Sequence, residues 1–256
     1  MEIKQSAYSK DKQTMCFTLV KSTPALVNAL RRSVISLVPT LAIEEVLIQE
    51  NSSALYDEVL SHRLGLLPLT TPIGEYKMRS EFPDDGVARA ECEVKATLEA
   101  VGPKTVYAEE LQFADPAVKC AYPKMVIVKL LKDQSIKLEA TAILGQGVEH
   151  AKWAAANAYY QHAPIIKDGA KTIEVLPKDI LDKKSQEIFV TAKGTLSTDA
   201  ITASKPQIEH SKEDFLFTIE SWGQMSPKDV LEQAIIQLNN QVSAIGEALA
   251  GLGTKK

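Results

Sequence analysis

Cysteine is scarce and poorly spaced for cross-linking: the 256-residue chain carries three, Cys16, Cys92 and Cys120, an odd number with no CxxC pair. That argues against a disulfide framework and leaves free thiols in a reducing compartment as the expectation. No apolar stretch approaches the roughly 20 residues that cross a bilayer. The opening MEIKQSAYSKDKQ also lacks the apolar core of a signal peptide. A cytoplasmic chain without membrane contact is expected. A basic excess is missing as well: 29 lysines and arginines stand against 33 acidic residues, a net charge of −4. Phosphate neutralisation supplies most nucleic-acid affinity, so DNA or RNA binding by the chain's own surface is disfavoured. What remains, 45% apolar and 24% charged residues, is an ordinary globular mixture.

Catalytic signatures are equally thin. Gly145 and Gly147 form a lone GxG without the third glycine and following helix of a dinucleotide fingerprint, and no phosphate-binding GxxxxGK[ST] loop occurs. His150 and His162 match no HExxH spacing, and no cysteine lies close enough in sequence to complete a zinc set. Ser61 adjoins His62, but no GxSxG elbow is present. The carboxylate pairs Glu44–Glu45 and Asp84–Asp85 read as solvated charge. No active site is expected, and an enzyme using GQGVEH and His162 has only those fragments in its favour.

The periodicities are more informative. EIKQSAY and QTMCFTLV read as strands, with Met15, Phe17 and Leu19 on one face. Ser22 or Thr23 caps a helix through ALVNALRRSVISLV, with Pro24 in its first turn. Leu26, Leu30, Val34 and Leu37 line one stripe of it, and Arg31 and Arg32 lie on the flanks. AIEEVLIQE reads as a strand. NSSALYDEVLSHRLG reads as a second helix, capped by Ser52 or Ser53 and closed by Gly65. His62 and Arg63 then fall in its last turn, where the helix dipole favours positive charge. A structural cap and a binding role both remain open for the pair.

From 90 to 144 the chain is β-rich, with Val94, Ala96, Leu98 and Ala100 on one face and Ile136, Leu138, Ala140, Ala142 and Leu144 on another. LPKDIL opens a short helix at Pro177, EIFVTAK reads as a strand, and FLFTIESWG places Phe215, Phe217 and Ile219 together. A terminal helix from Ser226 and Pro227 carries Leu231, Ile235, Leu238, Val242, Ile245 and Leu249 in a heptad seam. Packing within the chain and continuation into a partner subunit are both consistent with that seam.

Three blocks resemble the α-like subunits of cellular RNA polymerases, and more narrowly the archaeal D-type family with its eukaryotic third-largest-subunit counterpart. They are NALRRSVISLVPTLAIEEVLIQENSSALYDEVLSHRLGLLPL, GQGVEHAKW and FLFTIESWGQMSP with the helix after it. The NALRR helix is shared with bacterial α. The segment holding Asp57, Glu58, His62, Arg63, Leu64, Gly65, Leu66, Pro68 and Leu69 has the archaeal and eukaryotic form. The resemblance implies an α+β chain with a dimerisation domain split between 1–45 and 209–256, an antiparallel sheet plus long helices. It further implies an inserted β-rich domain at 46–168 and a degenerate ferredoxin-like segment at 169–208.

The implied function is non-catalytic: an assembly subunit that heterodimerises with small subunit L and carries the large β-like subunit and small polymerase subunits, touching DNA only through the complex. The implied dimer interface is Leu26, Leu30, Val34 and Leu37 with the terminal seam Leu231, Ile235, Leu238, Val242, Ile245 and Leu249. Asn28, Arg31, Arg32, His62 and Arg63 are the expected docking residues for a large subunit. Two departures from the family follow. Many archaeal D-type members hold an iron–sulfur cluster on cysteines, but in VLPKDIL Leu176 stands where a ligand cysteine would precede the proline. Cys92 stands alone where the eukaryotic counterpart has zinc cysteines. Neither cluster nor zinc is therefore expected, and an archaeal type is favoured. The rival reading is a stand-alone homodimeric scaffold using the same seam.

Overall fold

A computed structural model describes residues 2–82, 91–168, 171–174, 177–181 and 207–253. In chain order the elements are β1 (Glu2–Tyr8), β2 (Thr14–Val20), α1 (Pro24–Ser36), β3 (Pro39–Asn51), α2 (Asp57–Gly65), β4 (Glu93–Val101), β5 (Lys104–Tyr107) and β6 (Gln112–Phe113). Then come β7 (Val126–Leu130), β8 (Ser135–Gln146), β9 (Ala156–Asp168), β10 (Lys171–Glu174), α3 (Pro177–Leu181), β11 (Gln207–Ser221) and α4 (Pro227–Gly253). The α+β reading holds. The described residues form two compact units, one drawn from Met1–Val34, Ala156–Ser221 and Ser226–Lys256, the other from Ile35–Ala155 and Trp222–Met225. The expected boundaries at 45 and 168 fall inside or at the end of strands: all of β3 belongs to the second unit, and all of β9 to the first.

The first unit is built on an antiparallel sheet ordered β1-β2-β11-β9-β10. Phe17 sits opposite Phe217, and Met15 opposite Ile219. The two phenyl rings stack at 5.2 Å, and Tyr160 from β9 meets Phe215 edge-on. Such pairs add to the area they bury. Cys16, Leu216 and Thr218, on the opposite face, are also buried, so this part of the sheet is covered on both sides. α3 packs against β1 and β2, while α4 packs against β2 and β11. α1 buries Val27, Leu30, Ser33 and Val34. The buried Ser33 hydroxyl donates to the Ala234 carbonyl of α4 at 2.6 Å, satisfying a polar group that would otherwise be costly inside.

The second unit has a sheet ordered β3-β8-β4-β6 and a β5–β7 ribbon. Its core gathers Val94, Leu98, Ile136 and Leu138 with Leu60 and Leu64 of α2. The alternation read from the sequence is the alternation observed. Residues Trp222–Met225 belong to this unit although they lie between β11 and α4 in the chain. The Gln224 carbonyl accepts from the Thr71 N–H at 3.0 Å, and its amide nitrogen faces the Ala154 and Ala155 carbonyls at 3.2 Å. Gly223 there has φ +92°, which favours glycine.

The second helix is shorter than expected. It begins at Asp57 with no side-chain cap. Asn51 and Ser53 instead close a turn of their own: the Ser53 N–H donates to Asn51 Oδ1 at 3.0 Å, and the Leu55 N–H to Ser53 Oγ at 3.2 Å. Such side chains compete with helical bonding for the backbone. Gly65 ends the helix without a positive φ. A Cβ at Gly65 would sit 3.4 Å from the Ile43 carbonyl oxygen, at ordinary contact distance, so the structure does not require glycine there. The strand expected at EIFVTAK, Leu176 and most of the 169–208 segment lie outside the described residues.

Candidate assembly interface

The GQGVEHAKW block proves to be a packing unit. Gly145 lies under the Trp153 indole, where an added Cβ would fall 2.5 Å from a ring carbon. A Cβ on Gly147 would meet the Ile35 carbonyl oxygen at 2.3 Å. Both glycines therefore serve close approach, not phosphate binding. Trp153 Nε1 donates to the Ile143 carbonyl at 3.3 Å, and its own carbonyl accepts from Thr40 Oγ1 at 2.7 Å. The Lys152 ammonium stands 4.3 Å over the indole, pairs with Glu44 and donates to the Ile43 carbonyl at 3.0 Å. His150 Nδ1 accepts the Lys152 N–H at 3.1 Å, capping the 3-10 turn Ala151–Trp153. His162 Nδ1 meets the Ser211 carbonyl at 2.8 Å across a bulge of β11. Each histidine thus has a local structural partner.

Nothing else among the described residues assembles a reactive centre. No His, Cys, Asp and Glu cluster there is placed to hold a metal ion. Burial pushes the Cys16 and Cys120 thiols up, away from the thiolate form that metals and electrophiles need. On the outer face of β3, β8 and β4 the polar groups pair with one another, Gln49 with Glu139 at 2.9 Å and Lys137 with Glu99 at 3.4 Å.

His62 and Arg63 separate in role. Arg63 Nε donates to the Ile127 carbonyl at 3.0 Å and its terminal nitrogen to the Val126 carbonyl at 2.6 Å. The β5–β7 register slips between Val106 and Tyr107, leaving Ile127 as the extra residue. Arg63 therefore clamps a bulge, where ladder bonding is locally broken. His62, beside it, is exposed. Of the structural and binding roles left open for Arg63, these internal bonds support a structural one, made to a strand and not as a helix cap. Arg63→Ala is expected to lower stability by about 1 kcal/mol, a fall of about 2–4 °C in the thermal midpoint of the isolated chain. An unchanged midpoint would show the clamp to be dispensable.

On α1, Asn28 Oδ1 accepts from Arg31 Nε at 3.0 Å, a local bond one turn apart that orients the guanidinium. Arg31 is half-buried and Arg32 exposed. The expected interface stripe divides: Leu30 and Val34 are buried within the chain, while Leu26 is 41% exposed and Leu37 half-buried. For Leu26 helical phase explains it, because the face toward the chain's own core runs through Val27, Leu30 and Val34, while Leu37 lies beyond the end of α1. The terminal seam divides likewise. Leu231 is buried, Ile235 and Leu238 are half-buried, and Val242, Ile245 and Leu249 are 62%, 62% and 63% exposed. From 239 to 250 every side chain of α4 is exposed. A continuous apolar seam runs out into solvent.

Residues 45–163 match the RNA polymerase Rpb3/RpoA insert domain. Curated relatives extend the likeness over most of the chain. The chain is 34% identical to a protein of Pyrobaculum neutrophilum named DNA-directed RNA polymerase subunit Rpo3, over 89% of this chain and 87% of that one. Proteins of the same name from Methanothermobacter thermautotrophicus and Methanopyrus kandleri are 35% and 32% identical, over 90% and 93% of this chain and 93% and 92% of theirs. The fold, the insert and the solvent-facing seam thus define an α-like polymerase subunit. Within that class, the chain belongs to the family of archaeal DNA-directed RNA polymerase subunit Rpo3. Nothing in these likenesses supports a stand-alone homodimeric scaffold.

Proposed function

We propose that the chain works as a non-catalytic assembly subunit of a DNA-directed RNA polymerase, heterodimerising with a small α-like partner of the subunit L type. The pair forms the platform on which the large subunits dock, and DNA is reached only through them. One observation carries this reading: the distal half of α4 presents Val242, Ile245 and Leu249 to solvent, with none of the described residues covering them. An apolar stripe of this kind on a soluble protein marks an interaction site, and its heptad spacing suits another helix. Leu26 contributes exposed apolar surface on α1. Asn28, Arg31, Arg32 and His62 supply polar groups for a large subunit, since a guanidinium grips carboxylates or carbonyls through paired N–H donors. Arg63 acts through β7. The reading needs no resident metal or cluster and places the chain in the cytoplasm.

Affinity purification of the chain from its native extract, with co-purifying proteins identified by mass, tests it. A small α-like protein together with two very large polymerase subunits is the expected result. Recovery of the chain alone, or only with itself, would overturn the assembly reading.

A further inference from the structure

We propose that the segment Trp222–Met225 is a strap through which the second unit holds the start of α4, so that loosening of that unit frees the first turn of the helix. Between the end of β11 at Ser221 and the start of α4 at Pro227 lie five residues, and four of them belong to the second unit. A strand and a helix this close in sequence can be joined by a short solvated turn. Here the connection is bound into the second unit, while β11 before it and α4 after it belong to the first.

The strap is held along its length. The Trp222 N–H donates to the Ala155 carbonyl at 3.2 Å, and the Gln224 carbonyl accepts from the Thr71 N–H at 3.0 Å. The Gln224 side chain is buried, with its amide nitrogen toward the carbonyls of Ala154 and Ala155. Gly223 runs so near Ala121 that an added Cβ would stand 3.0 Å from its methyl. Met225 is buried as well. A buried glutamine is costly unless its polar atoms are paired, and here the pairing comes from the backbone of the second unit. Joining β11 to α4 requires none of this.

The helix begins where the strap ends. Ser226 Oγ accepts from the Asp229 N–H at 3.2 Å and donates to Asp229 Oδ2 at 2.7 Å, and the Ser226 carbonyl accepts from the Val230 N–H at 3.0 Å. Ser226 is thus the N-cap of α4, and no residue separates it from buried Met225. With the strap bound, the chain entering the cap is already ordered. With the strap released, its residues must be fixed before the first turn forms, each at an entropic cost. Opening of the second unit therefore spreads to Asp229 and Val230 as one local unfolding event. Val230 is wholly buried, so its release also loosens the base of the helix. α4 carries the seam assigned above to the small partner, so a loosened second unit weakens pairing too; that consequence alone rests on the assembly reading.

Hydrogen exchange of the full chain alone, read at single amides by nuclear magnetic resonance, tests the strap without any partner. Leu98→Ala removes volume from the core of the second unit at a residue with no part in the strap's bonds. Amides of β8 are expected to exchange about tenfold or more faster in that variant. Asp229 and Val230 should accelerate with them, while amides of β2 and β11 stay within about twofold of the parent. In a Gln224→Ala background Asp229 and Val230 should exchange fast from the outset, and Leu98→Ala should add nothing to their rates. If Leu98→Ala does not fold, Ile136→Val makes a smaller loss in the same core and should give the same pattern at about threefold. Unchanged exchange at Asp229 and Val230, with β8 accelerated, would overturn the strap. Equal acceleration of β2 and β11 would overturn it too, since a chain that opens as one cooperative unit needs no link between its parts.

Discussion

Trp153→Ala is expected to destabilise the second unit by about 3–5 kcal/mol, the range for removing a large buried aromatic. The indole is 5% exposed and does three things at once. It roofs Gly145, donates to the Ile143 carbonyl, and offers its face to the Lys152 ammonium. Removing it leaves a cavity over β8 and strips the ammonium of its aromatic neighbour. Gly145→Ala attacks the same contact from below, placing a methyl 2.5 Å from a ring carbon, where either the indole or the strand must move. Overpacking of that sort costs about 1–3 kcal/mol. In the Trp153→Ala background the added methyl enters vacated space, so the two costs should not add; the coupling is expected to be about 1–3 kcal/mol. Urea unfolding of the four proteins, followed by far-ultraviolet circular dichroism, measures it. Equal cost of Gly145→Ala in both backgrounds would mean that the glycine serves its own backbone and not the indole.

This contact also shows which kinds of structure a sequence discloses. The alternation of Val94, Ala96, Leu98 and Ala100 was legible because a strand with one wet face repeats every second residue, and all four are buried as read. GQGVEHAKW has no period. Its logic is a glycine in β8 admitting a tryptophan several residues later, and two residues that touch only after the chain turns back leave no spacing rule. The protection of β3 is equally silent. As the edge of its sheet it presents unpaired backbone, yet its Leu41 N–H donates to Thr71 Oγ1 at 3.0 Å and its Ile43 carbonyl takes the Lys152 ammonium. Side chains from distant segments therefore do what a neighbouring strand would do.

Helix phase was legible only in part. The leucine stripe on α1 was read at Leu26, Leu30, Val34 and Leu37, but the buried side passes through Val27 and Ser33. A serine in a core position breaks an apolar pattern, and its reason, a hydrogen bond to Ala234, lies some two hundred residues away in the chain. His62 and Arg63 posed the same difficulty. Adjacent in sequence and both suited to a helix end, they differ only in what the fold brings to them: a bulged strand for Arg63 and open solvent for His62.

The seam of α4 carries the other large effect, and its division into a buried base and an exposed end makes the test selective. Val242→Glu, Ile245→Glu and Leu249→Glu together are expected to abolish pairing with the small partner. Full burial of such side chains contributes about 1.5–3 kcal/mol each. Even the lower figure, summed over three and discounted for side chains already about a third buried, weakens the dimer by about a hundredfold. Glutamate is a good helix former, and all three positions face solvent in the isolated chain. The unpartnered variant should therefore melt within about 2 °C of the parent. Leu231→Glu is the contrast. Leu231 is 8% exposed and α4 packs there against β2 and β11, so a carboxylate at that position should lower the midpoint of the chain itself before any partner is added. Dissociation constants by titration calorimetry with the small partner, beside thermal melts of each chain alone, separate the two halves of the helix. Undiminished affinity in the triple variant would show that the exposed half is not the pairing surface. Loss of the chain's own stability in that variant would show that residues 239–250 already pack within the chain in solution.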